Sequence, residues 1–192
     1  MKKALIILFI FTALGCQSTG NKFAGLCQVE EQSDTFTNKM RVEFTNCWVA
    51  AGESVWDTPV YKFGFVWLED QPDIIQVNLT YDSTVGGQSY TNFESIMINI
   101  DGNREVTKEL SDTILDSSGY NNVSNTIYTS SRAAARIDMR VFENMMISND
   151  VRIRINTSNG YSDYVFHLSE NGMTKYAKYD LDKFVTAVNK YR

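Results

Sequence analysis

The chain has 192 residues, 43% hydrophobic and 12% aromatic, with 18 basic against 23 acidic residues for a formal net charge of −5. That composition is globular and long enough for a core, which excludes an intrinsically disordered chain. A net acidic chain without a basic cluster also argues against nucleic acid as a partner and against electrostatic docking onto anionic lipid.

Lys2 and Lys3 precede an apolar run over residues 4–11, extended with one break to Leu14. This is the layout of a secretory signal, and it is shorter than the roughly 20 apolar residues of a membrane-spanning helix. The run ends in Ala13-Leu14-Gly15-Cys16. Small residues before a cysteine at that place resemble the lipobox of bacterial lipoproteins, with Ala13 where that family most often has leucine. The resemblance implies that residues 1–15 are a signal peptide cut before Cys16. It also implies that the Cys16 thiol carries a diacylglyceryl group and that the new amino terminus is acylated. Three acyl chains at roughly 0.8 kcal/mol per buried methylene give stable anchoring. Gln17 stands where the inner-membrane retention signal of that family is aspartate, which implies an outer-membrane lipoprotein facing the periplasm. The alternative is an ordinary secretory signal with an incidental cysteine. In an oxidising compartment the two remaining cysteines, Cys27 and Cys47, most simply pair as a disulfide. The closed loop of about 20 residues would contribute roughly 3 kcal/mol by chain entropy. Two buried free thiols are the alternative.

Residues 16–22 read as a lipidated tether, small and polar after the cysteine. Residues 23–192 read as a single domain, a mainly antiparallel β-sandwich, because the pattern becomes period two. Residues 26–29 suit a short strand and 30–34 a turn. Met40, Val42 and Phe44 alternate with Arg41 and Glu43. The apolar pattern continues over 47–50 and breaks at 51–53. Tyr61, Phe63, Phe65 and Trp67 share one strand face. They either fill a sandwich core or form a sugar-stacking platform, and the core is favoured because aromatic side chains dominate core energetics. Gly64, on the opposite face, marks a bulge or a close backbone approach. Ile75, Val77, Leu79 and Tyr81 alternate with polar residues, as a half-buried antiparallel strand does. Residues 82–88 read as a loop. Ile96, Ile98 and Ile100 form a strand that turns through Asp101-Gly102-Asn103 into 104–110. Residues 111–125, rich in Ser, Asp, Asn and Gly, read as an exposed loop, and 126–129 as another strand.

Alternation at Ile137 and Met139, with helical spacing at Val141, Met145 and Met146, predicts a strand over 133–139 and a short helix over 140–148. A hairpin follows, with Asn159-Gly160 as the preferred pair for a type I′ turn. That loop sets Ile153 opposite Phe166, Ile155 opposite Tyr164 and Arg152 opposite His167, with Asp163 diagonal to Arg154 and within salt-bridge reach. Asp180 as N-cap and an apolar stripe at Leu181, Phe184, Val185 and Val188 predict a C-terminal amphipathic helix. In element order alone, residues 140–192 resemble periplasmic β-sandwich proteins of the invasion-associated or secretion-accessory type. No functional residue carries over from that resemblance.

Catalytic groups are sparse. His167 is the single histidine, so a hydrolase would have to be built around it with Asp163 orienting the ring, and the chain lacks the G-x-S-x-G motif. No Cys/His cluster suits zinc. Asn99, Asp101 and Asn103 lack the remaining ligands of a calcium loop, and Gly86-Gly87 lacks the G-K-[ST] of a phosphate-binding loop. The expectation is therefore no catalytic residue, no metal, no cofactor and no enzyme. The chain reads as a lipid-anchored envelope module that binds an envelope protein or helps an assembly. The alternative is carbohydrate or peptidoglycan binding through Tyr61, Phe63, Phe65 and Trp67, or through a ledge of Trp48 and Trp56.

Overall fold

A computed structural model describes residues 28–48, 50–51, 61–83, 90–122, 125–170, 173–176 and 178–192. The signal peptide and the tether expected from the sequence, together with Cys16, Cys27 and Trp56, lie outside the described residues. The elements in chain order are β1 (Gln28–Ser33), β2 (Met40–Trp48), β3 (Ala50–Ala51), β4 (Tyr61–Leu68), β5 (Ile74–Asp82), β6 (Phe93–Ile100) and β7 (Asn103–Glu109). There follow β8 (Ile114–Asn121), β9 (Thr126–Asp138), α1 (Met139–Ile147), β10 (Asp150–Thr157), β11 (Gly160–Glu170), β12 (Met173–Tyr176) and α2 (Lys178–Asn189). The described residues are mainly β, as expected, with one short internal helix and one at the C-terminus among them.

Two antiparallel sheets build a sandwich-like fold. The first has the order β1-β2-β4-β5-β9-β8, and the second β12-β11-β10-β6-β7 with β3 paired to β11. Period-two patterning explains the pairing. β5 buries Ile75, Val77, Leu79 and Tyr81 and turns Gln76, Asn78 and Thr80 away. β10 likewise buries Val151, Ile153 and Ile155. Each sheet thus offers one apolar face, and burying the two against each other removes both from water.

The β4 aromatics are the centre of this core, and none is more than 3% exposed. Tyr61 stacks edge-on to Tyr164 of the second sheet at 5.3 Å, Phe63 meets Phe166 at 6.3 Å, and Phe65 meets Phe166 at 5.9 Å. Phe142 of α1 lies 5.2 Å from Phe65, and Phe184 of α2 lies 6.2 Å from Phe44. The two helices therefore plug one end of the sandwich. The Trp67 indole N–H, at that depth, donates to the Pro72 carbonyl at 3.1 Å. These four rings present no face to a sugar.

Four expectations need correction. Residues 30–33 belong to strand β1, not a turn. Residues 114–121 form strand β8, where a loop was expected. Both are edge strands with mostly exposed side chains, so no core-facing alternation marks them in the sequence. Ala51, the first residue of the expected break at 51–53, is instead paired with Tyr164 of β11. The last correction is the hairpin register. The loop is Ser158-Asn159, so Ile153 faces Tyr164 and Arg154 faces Asp163 directly, and a bulge then sets His167 opposite Val151 instead of Arg152. A type I′ turn needs positive φ at both central residues. Here neither Ser158 nor Asn159 has it, and Gly160 takes a φ of 126° as the residue after the turn. The ion pair survives the change, because Arg154 donates to both Asp163 oxygens at 2.6 and 2.7 Å. Two element bounds also shift. The strands expected over 126–129 and 133–139 are one strand, β9, which ends at Asp138 with α1 following from Met139, and Asp180 lies inside α2 instead of capping it.

The C-terminal end is tied back to the first strand. Lys190 Nζ and the Tyr191 hydroxyl donate to the two oxygens of Glu31 at 2.7 and 2.6 Å. These bonds hold the Glu31 carboxyl below the usual carboxylate range, the Lys190 bond most strongly.

At the opposite end Tyr61, Tyr81 and Tyr164 crowd together, and burial pushes all three hydroxyls up. An unfolded tyrosine ionises at about pH 10. A raised folded-state value therefore contributes stability fully present below about pH 10 and lost as the pH rises further. We expect these three tyrosines to ionise only as the fold melts, so that part of the tyrosinate absorbance appears only together with the loss of the circular-dichroism signal in an alkaline titration. Full ionisation of all ten tyrosines while the β signal persists would contradict this packing.

Candidate functional site

The outward face of the first sheet carries the best-formed site. Burying the rings of β4 and the aliphatic residues of β5 leaves Lys62 and Gly64, and Gln76, Asn78 and Thr80, on the other side. The antiparallel register aligns them in rows that cross the sheet. One row is Lys62, Thr80, Arg132 and Ile114, and the next is Gly64, Asn78 and Ala134. A cleft of about 700 Å³ lies over these rows, bounded by β2 on one side and β8 on the other. Its wall at the β8 side is fastened by the backbone. Ser111 N–H donates to the Ala134 carbonyl at 2.8 Å, and Ala134 N–H donates to the Ser111 hydroxyl at 3.0 Å.

Gly64 sets the floor. The β2 strand bulges between Phe44 and Cys47, opposite Gly64. A Cβ at position 64 would lie 2.9 Å from the Phe44 carbonyl oxygen, so only glycine fits there without a shift. The reading of Gly64 as a bulge or close-approach mark therefore holds. Beside it, Gln76 Nε2 donates to Asn78 Oδ1 at 2.7 Å.

The charges around the cleft are matched. Lys62 bonds Asp82 at 2.5 Å, Arg132 bonds Asp116 at 3.3 Å, and Glu43 pairs with Arg41. Between them lie half-buried polar side chains, namely Thr45, Gln76, Asn78, Thr80 and Ser130. The arrangement can hydrogen-bond a ligand across several strands.

The expected site residues fall as follows. Cys47 lies in β2 opposite Phe63, and its expected disulfide partner Cys27 is outside the described residues. Trp48 lies in β2 opposite Lys62, at the end of the first row. The His167 backbone pairs with Val151 and Tyr176. Asp163, which a hydrolase would need to orient the His167 ring, has both oxygens bonded by Arg154, which holds its carboxyl below the usual range. Among the described residues no group of three His, Cys, Asp or Glu side chains could hold a metal. No described helix is long and apolar enough to cross a membrane. Sequence reasoning missed the cleft. Its one signal was Gly64 facing away from the core beside the alternating Gln76, Asn78 and Thr80.

Fold and cleft together define a class, an antiparallel β-sandwich with a charge-balanced polar cleft on one outer face. No protein-family model, curated protein or solved structure matches the chain.

Proposed function

We propose that the protein is a lipid-anchored envelope module that holds a ligand in the cleft of the first sheet. Attachment is through acylated Cys16 at the periplasmic face of an outer membrane. The observation behind the binding role is the row of half-buried polar side chains across the cleft, with several of their hydrogen-bonding groups left open to a ligand. Such groups cost free energy unless water or a ligand satisfies them.

Two variants test the two halves separately. Cys16→Ser is expected to move the protein from the membrane pellet to the soluble fraction, and sedimentation with membranes unchanged from wild type would remove the anchor. Ala134→Arg places a long charged side chain in the cleft. It is expected to cut retention of envelope fragments on the immobilised protein at least tenfold, whereas wild-type retention would remove the cleft as the binding site.

A second reading, assembly with an envelope protein, is favoured by the β8–β9 hairpin. Leu115, Tyr120 and Ile127 are 54%, 60% and 52% exposed there, more apolar surface than a solvated edge requires. Ile127→Asp would then break a cross-link to a partner that Ala134→Arg leaves intact.

A further inference from the structure

We infer that the ligand of this cleft is a neutral, hydroxyl-rich oligosaccharide chain; the inference rests on the reading of the cleft as a binding site. The charges of the cleft favour a neutral ligand. Each charged residue lining the cleft has a partner of opposite sign, in Lys62–Asp82, Arg132–Asp116 and Glu43–Arg41. A charged ligand would have to compete with one of those pairs for its own partner.

The cleft also displays donors and acceptors along the sheet. The Gln76 to Asn78 bond uses one group of each amide and leaves Gln76 Oε1 as an acceptor and Asn78 Nδ2 as a donor. Thr45, Thr80 and Ser130 add hydroxyls that both donate and accept. Neighbouring hydroxyls on a sugar ring also donate and accept, so an acceptor and a donor can engage two of them at once. The Ile114 side chain, 63% exposed at the β8 rim, offers apolar contact to the C–H face of a ring.

A peptide added as a strand is excluded by the sheet itself. The floor is made by β4, β5 and β9, each paired on both sides. Their backbone groups are engaged in the ladders, and strand addition needs a free edge. The cleft also runs from β2 to β8, four strand spacings or about 19 Å. That is the reach of a chain of sugar rings, not of a single one.

The test uses the lipidated protein in a detergent without a sugar headgroup. The probes are hexamers of N-acetylglucosamine, cellohexaose and maltohexaose, measured by calorimetry. At least one is expected to bind with a Kd between about 10 μM and 1 mM. The affinity should stay constant from about 50 to 500 mM salt, since no net charge is recognised. Asn78→Ala with Thr80→Ala should weaken binding at least tenfold while leaving the thermal midpoint near wild type. The inference is overturned if no hexamer binds, if the double variant binds as wild type does, or if affinity falls steeply with salt. Failure of the hexamers while Ala134→Arg still loses envelope fragments would reject the sugar and keep the cleft. Fragment retention by Ala134→Arg would reject the cleft itself.

Discussion

Phe65→Ala is expected to lower the unfolding free energy by about 3–5 kcal/mol, the range for truncating a buried aromatic residue. Phe65 touches four rings from four different elements. It lies 6.2 Å from Phe44 in β2, 5.2 Å from Phe142 in α1, 5.9 Å from Phe166 in β11 and 6.4 Å from Phe184 in α2. Removing it withdraws a shared contact from both sheets and both helices, and β strands on either side limit how far the site can collapse. Against a typical domain stability of about 5–15 kcal/mol, such a loss leaves little margin. Phe36, 95% exposed, is the control, since its alanine variant should stay within about 0.5 kcal/mol of wild type. Denaturant unfolding of the two variants side by side measures the difference. Equal midpoints would mean that the β4 rings are not the core.

The second large effect is Gly64→Ala, for which two terms of opposite sign compete. Alanine restricts the unfolded chain and on that ground stabilises by about 0.4–1 kcal/mol where the site is compatible. At position 64 the added methyl meets the Phe44 carbonyl oxygen at 2.9 Å, and backbone in a bulged ladder has little room to yield. Forcing an atom into filled space costs about 1–3 kcal/mol, so the contact wins and the variant is expected to be destabilised. Gly119→Ala is the counterpart. Nothing lies within 4 Å of its added Cβ, so the change there should be neutral or slightly stabilising. A Gly64→Ala protein more stable than wild type would show that β2 is free to move away from β4. The same variant narrows the cleft, because its methyl would sit 3.7 Å from the Asn78 Cβ.

Legibility in the sequence followed burial. β4, β5, β6 and β10 were readable because each has one face in the core, which imposes strict alternation on the residue types. The opposite case is β8. Ser117 and Gly119 lie in an exposed edge strand whose side chains are under no packing constraint, so its composition is that of a loop and only pairing with β9 makes it a strand. The hairpin shows a finer limit. Asn159-Gly160 was legible as a turn. Its register was not, because Gly160 can use its positive φ either inside the two-residue loop or just after it.

The cleft was illegible for a related reason. Gln76, Asn78, Thr80 and Arg132 are ordinary outward residues in the sequence, and they share a site only because β5 pairs with β9 along its whole length.

The sequence by itself determined the class of fold and the aromatic core. These depend on residue type and on spacing within a few neighbours, where local periodicity carries the signal. Tertiary structure decided strand order, register and the polar cleft, since they depend on which distant strands lie side by side, and the alternation that marks a strand is the same whichever neighbour it finds.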